Sequence, residues 1–187
     1  MVIAAGSPEA LPKLQVILGN GGVAVVPCDT IYGLVGIAPD TEARIRAIKG
    51  RGEDKPFLQL VADSEGASRI AFPAPPRLAK YWPGPLTIIL PAYAGGTIAL
   101  RVPDSEFLRG LIQSIGRSLY STSVNRAGQA PLWRIGEIVE SFESAVELVL
   151  DAGDLPGASP STMVDATSRP FRVVRQGSLV VPPEDLL

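Results

Sequence analysis

Apolar positions along the chain switch repeatedly between a spacing of three to four residues and short unbroken runs, and each switch marks an element. Leu11, Leu14, Ile17 and Leu18 share one face of a predicted helix, which Gly19-Asn20-Gly21-Gly22 ends. Val23 to Val26 then reads as a buried strand stopped by Pro27. Ala43, Ile45, Ala47 and Ile48 predict a helix from about Thr41 to Lys49, and Phe57 to Val61 the next strand. Leu86 to Leu90 and Thr97 to Val102 read as paired strands around a turn holding Gly95-Gly96. Helices follow at Phe107, Leu108, Leu111 and Ile112 and at Ile135, Ile138, Val139 and Phe142. Strands are predicted at Ser118 to Thr122, Val146 to Leu150, Met163 to Ala166 and Phe171 to Val174. Strands interleaved with helices define an α/β or α+β domain with a mixed sheet.

Composition narrows the chemistry. The 187 residues match one domain, 1–187, and 46% hydrophobic content supplies a sizeable core. There is no histidine and one cysteine, Cys28, which excludes an internal disulfide, a multi-cysteine zinc site and a Ser-His-Asp triad. With 17 cations against 19 anions, bulk charge favours no tight hold on nucleic acid. The N-terminal residues lack a signal-peptide pattern and no apolar run is long enough to span a bilayer, so a cytoplasmic location is expected.

Few stretches carry polar chemistry. The glycines at 19–22 close a helix and open a strand, the reverse of a phosphate loop, and read as a turn. Lys49-Gly50-Arg51-Gly52-Glu53-Asp54-Lys55 places three cations in a loop, either a solvated turn or an anion clamp for a polyphosphate. Ser121-Thr122-Ser123 at a strand end suits binding of polar groups better than nucleophilic attack, since no histidine can activate a hydroxyl. Arg101 closes an apolar strand and must meet a carboxylate, whether from the protein or from a ligand.

Taken in order, these stretches resemble the L-threonylcarbamoyladenylate synthase family, the YrdC-like domain, in its single-domain form. Pro27-Cys28-Asp29-Thr30-Ile31-Tyr32-Gly33-Leu34 is similar to the opening motif, and Lys49-Gly50-Arg51 to the family's Lys-x-Arg. Trp82-Pro83-Gly84-Pro85-Leu86-Thr87, Ala99-Leu100-Arg101-Val102-Pro103 and Ser121-Thr122-Ser123-Val124-Asn125 follow. Pro160-Ser161-Thr162-Met163-Val164-Asp165 and Val174-Arg175-Gln176-Gly177 complete the series. Three positions depart from the pattern: Cys28 replaces a threonine, Leu60 a histidine that contacts threonine in many members, and Pro131 stands near a serine of some members.

The resemblance implies a twisted mixed sheet with a concave face that holds ATP and threonine. It implies joining of L-threonine, bicarbonate and ATP into threonylcarbamoyl-adenylate with release of pyrophosphate, for modification of adenosine 37 in tRNA by partner proteins. Carried over by position, Thr30, Tyr32, Arg101 and Ser121 would hold L-threonine. Lys49, Arg51, Lys55, Thr97, Ser123, Asn125 and Arg175 would hold the nucleotide, with Lys49 and Arg51 as the catalytic cations. Magnesium would arrive with ATP, and no metal site of the protein's own is expected. The alternative is a YrdC-like paralogue that binds ATP or double-stranded RNA without making the adenylate.

Overall fold

The computed structural model describes residues 1–50, 52, 56–157 and 159–187. Ten strands form one sheet in the order β1-β8-β2-β3-β7-β4-β6-β5-β9-β10. They are β1 (Val2–Ala4), β2 (Ala24–Pro27), β3 (Tyr32–Ile37), β4 (Leu58–Leu60), β5 (Leu86–Pro91), β6 (Thr97–Arg101), β7 (Leu119–Ser123), β8 (Leu148–Asp151), β9 (Thr162–Asp165) and β10 (Arg172–Arg175). Four parallel pairs (β1 with β8, β2 with β8, β4 with β6, β5 with β9) stand among five antiparallel ones in the described sheet, in line with the mixed-sheet expectation. The helices are α1 (Ala10–Gly19), α2 (Glu42–Lys49), α3 (Ser64–Ser68), α4 (Pro76–Ala79), α5 (Glu106–Ile115) and α6 (Ile135–Phe142).

Alternation along the strands divides the first half of the molecule into two cores. Ala24, Val26, Val35, Ile37, Leu119, Leu148 and Leu150 face α1 and α5, with Leu14, Leu18, Leu108 and Leu111 packed on them. Val25, Tyr32, Leu34, Tyr120 and Val149 point the other way, toward Ile45 of α2 and Ile138 and Phe142 of α6. A third core joins α4 to the β5–β6–β9 end of the sheet through Leu78, Trp82, Ile88, Leu100 and Val164. Helices therefore cover both faces near β2 and β3, which buries all six residues of β3. That double burial explains why β3 is absent from the periodicity reading, since its two glycines and unbroken apolar run lack alternation.

The same sheet face that carries the α1/α5 core turns polar at one end. On β3 the inward series Ile37, Val35 is continued by Gly33; on β7 Leu119 is continued by Ser121 and Ser123; on β4 Leu60 is continued by Leu58. Register aligns the change, because Leu60 pairs with Leu119 while Leu58 pairs with Ser121. The apolar layer thus stops one rung short of the strand ends, where a concavity opens.

Candidate functional site

That concavity has a volume of about 320 Å³. Its walls come from the β2–β3 turn (Cys28, Thr30), the β7 end (Ser121, Ser123), Leu58, Pro131, Ser161, and the arginines Arg101 and Arg175. Lines of sequence more than a hundred residues apart converge here because β7 ends where β3 and β4 begin, and β6 and β10 end where β9 begins.

Arg101 is a charged group of the pocket wall that is only 3% exposed. Its Nε donates to the Gly84 carbonyl at 3.0 Å, and its Nη1 donates to Thr30 Oγ1 at 3.0 Å. Asp29 Oδ2 lies 2.5 Å from Nη2 and forms an ion pair, yet Nη2 has no aligned hydrogen-bond acceptor and is buried. The protein therefore supplies a carboxylate, one of the two sources left open by the sequence. The Trp82-Pro83-Gly84 segment is what brings a carbonyl to Arg101. Trp82 is anchored by Nε1–H to the Leu86 carbonyl at 2.7 Å, and Gly84 N–H bonds Val102 O at 2.9 Å. A Cβ at Gly84 would lie 2.5 Å from the Tyr81 carbonyl oxygen, so the chain passes there only without a side chain.

Arg175 approaches from β10. Its Nε and Nη2 donate to the Ser161 carbonyl at 3.1 and 2.9 Å, and Nη2 also donates to Ser161 Oγ at 3.1 Å. Ser161 Oγ is linked in turn to buried Thr87 Oγ1 at 2.7 Å. Burial, with the positive charge of Arg101 added, lowers the Arg175 pKa. Two guanidinium groups that repel one another while lining one cavity call for an anion between or beside them. Behind Arg175 the chain is welded to β9: Gly177 N–H donates to Thr162 Oγ1 at 2.9 Å, which donates to Leu179 O at 2.5 Å. A Cβ on Gly177 would fall 2.1 Å from the Pro160 carbonyl oxygen.

Of the residues expected to hold an amino acid, Thr30, Arg101 and Ser121 line the pocket together. Tyr32 also borders it, but its hydroxyl is committed elsewhere: it donates to Gly153 O at 2.8 Å and accepts from Ala152 N–H at 2.9 Å. Tyr32 is a core residue that ties β3 to the chain after β8, so what it presents to the pocket is not its hydroxyl.

The expected nucleotide set divides further. Ser123 and Arg175 line the pocket. Lys49 does not project into it: at 3% exposure, its Nζ donates to Ser123 O at 2.5 Å, Asn125 Oδ1 at 2.8 Å and Asn125 O at 3.1 Å. Asn125 is equally engaged, its Oδ1 also accepting from Ser123 Oγ at 2.6 Å and its amide donating to Arg126 O and Gln129 O. Lys49 and Asn125 therefore brace the β7 end from beneath, where a phosphate-binding or catalytic role was expected. Thr97 begins β6, opposite Pro91, four residues before Arg101, and is not among the pocket's walls. A strand of that length carries it to the other end of β6 from Arg101. Arg51 and Lys55 lie outside the described residues.

Several wall residues quoted in the motifs had no assigned role, Cys28 and Ser161 among them, and Pro131, noted as a departure from the family pattern, also lines the pocket. Burial raises the Cys28 thiol to about 11, so it stays protonated near neutrality. Leu60, at the position of the family histidine, is 1% exposed and packs in the α1/α5 core on its rung with Leu119. Among the described residues no cluster of three or more acidic, cysteine or histidine side chains could hold a metal, and no helix is long and apolar enough to cross a membrane.

The structure is thus a mixed α/β sheet with a polar pocket, lined by two arginines, where strand ends meet. The chain belongs to the Sua5/YciO/YrdC family: residues 16–177 match that family's model, whose description reads "Telomere recombination". It is 32% identical over 185 residues to the threonylcarbamoyl-AMP synthase of Pyrococcus abyssi, covering 89% of this chain and 54% of that protein. The chain thus spans about half the length of that curated relative. The crystal structure of P. abyssi Sua5 complexed with L-threonine superposes with a TM-score of 0.87 at 27% identity, covering 96% of this chain and 58% of the other. E. coli YciO superposes with a TM-score of 0.84 at 26% identity, covering 98% and 96%.

Proposed function

We propose that the protein condenses L-threonine, bicarbonate and ATP into threonylcarbamoyl-adenylate, releasing pyrophosphate, to supply tRNA modification by partner proteins in the cytoplasm. The observation that carries this reading is Arg101, a guanidinium held at the pocket wall by Gly84, Thr30 and Asp29, beside the hydroxyls of Thr30 and Ser121. A substrate carboxylate meets these groups with charge-assisted hydrogen bonds. The threonine complex of the P. abyssi relative supports placing an amino acid in this fold.

In this reading Arg101, with Thr30 and Ser121, orients the amino acid so that its amine faces the open pocket. The amine and bicarbonate give a carbamate, with loss of water, and a carbamate oxygen then attacks the α-phosphorus. The new P–O bond forms as the bond to the β-phosphate oxygen breaks, and pyrophosphate leaves. The carbamate is itself the nucleophile, so the lack of histidine costs the reaction nothing. The protein's task is to gather reactants that repel one another and to steady the charge that builds on the phosphates. Arg175 and Ser123 serve the nucleotide side, and the family resemblance adds Arg51 and Lys55 to that role. Magnesium, held by the ATP phosphates, would enter with the substrate and screen their charge.

The test separates the two ends of the pocket by ligand-induced thermal shift. Arg101→Ala is expected to weaken L-threonine roughly 10–100-fold while leaving ATP nearly unchanged, and Arg175→Ala to do the reverse. Equal loss of both ligands in each variant contradicts the assignment. ATP binding that never responds to threonine supports the paralogue reading instead.

A further inference from the structure

Asp29 sits in the β2–β3 turn beside two pocket residues but is not itself part of the pocket wall. Its Oδ2 is 2.5 Å from Arg101 Nη2, and the same oxygen accepts the backbone N–H of Asp104 at 2.9 Å. Both partners of the ion pair are nearly enclosed, the Arg101 side chain at 4% and that of Asp29 at 10% exposure. The carboxylate therefore stands behind Arg101, pinned between two loops, where an incoming ligand does not touch it. The other acid nearby, Asp104, is turned outward, its side chain 73% exposed and 3.7 Å from Arg109.

This arrangement sets the charge of the amino-acid end of the pocket. Among the described residues, the pocket walls carry two cations, Arg101 at this end with the neutral hydroxyls of Thr30 and Ser121, and Arg175 on the nucleotide side. Asp29 offsets one of the two positive charges at contact distance. With Arg101 so offset, this end holds a ligand by hydrogen bonds more than by excess positive charge, and each added negative charge there is costly.

We infer that Asp29 is a specificity-determining residue: standing behind Arg101, it makes this end of the pocket select a singly charged carboxylate over doubly charged anions. The inference rests on the reading of Arg101 as the carboxylate site. It gives that site what the reaction needs, since phosphate groups occupy the neighbouring part of the same pocket and must not displace the amino acid. The discrimination arises because Asp29 cancels much of the attraction of Arg101, so the second charge of a dianion gains little there to offset its greater desolvation cost.

The experiment measures L-threonine affinity by calorimetry, alone and in competition with inorganic phosphate at mildly alkaline pH, for the intact chain, Asp29→Asn and Arg101→Ala. Asp29→Asn keeps an oxygen acceptor for Asp104 N–H and removes only the charge. Phosphate is expected to compete about fivefold or more better in Asp29→Asn, with a smaller change for threonine. An unchanged phosphate-to-threonine ratio overturns the inference, as does a parallel loss of both, which marks Asp29 as a structural clamp alone. If Asp29→Asn does not fold, Asp29→Ser, also neutral and able to accept from Asp104, is put to the same measurement. Threonine affinity that survives Arg101→Ala sinks the underlying reading itself, whatever Asp29→Asn shows.

Discussion

Lys49 shows how residue type and residue role separate at this site. A lysine in a Lys-x-Arg series invites a phosphate contact, but the side chain is buried and its three N–H groups reach Ser123 O, Asn125 O and Asn125 Oδ1. Removing it leaves those oxygens without their charged donor in a water-poor place. Lys49→Met is therefore expected to cost about 1–3 kcal/mol of stability, read from urea unfolding, with threonine and ATP affinities falling together as the β7 end loosens. A normal unfolding midpoint with ATP binding alone impaired contradicts the bracing role. Leu60 teaches the converse. Sequence identifies it as a departure from a family histidine, while only the register with Leu119 shows that it belongs to the core one rung below the pocket. Arg101 was the most legible residue of the site, because a cation closing an apolar strand demands a carboxylate. That Asp29 meets this demand from two strands away depends on topology, which periodicity does not carry.

At the scale of elements, the readable ones were those with alternation or an amphipathic stripe: α1, α2, α5, α6 and most strands fall where the pattern predicts. β3 was missed because both its faces are buried, and α3 and α4 because five and four residues are too few to establish a helical period. The pocket itself is written in the strand ends, where same-face residues change from leucine to serine along β7. The segment after β10 matters as much, since it fixes Arg175. It crosses back to α4, where Asp185 receives Lys80 Nζ at 2.8 Å and Tyr81 Oη at 2.5 Å. Hydrogen bonds from Lys80 and then Tyr81 hold the Asp185 carboxyl below its ordinary value. The stability this gives is fully present above about pH 4 and is lost as the pH falls through the lower folded value. Asp185→Asn is expected to remove that part of the acid limb from a pH series of urea melts. An unaltered acid limb in the variant contradicts an anchoring role for Asp185.

For the whole molecule, ten strands and two helical layers serve to bring distant residues to one pocket among strand ends. A chain with 17 cations and 19 anions has no general excess to draw phosphate groups, so it concentrates two arginines there and balances one of them with a buried acid. The absence of histidine accords with a reaction in which the substrate supplies the nucleophile. The central claim is tested most directly by mass analysis of the product formed from ATP, L-threonine and heavy-isotope-labelled bicarbonate by the purified chain with magnesium. The account predicts an adenylate that carries both the threonine and the label, with one pyrophosphate released per adenylate and no product when threonine or Arg101 is removed. ATP bound but unreacted, or pyrophosphate released without a labelled adduct, contradicts it.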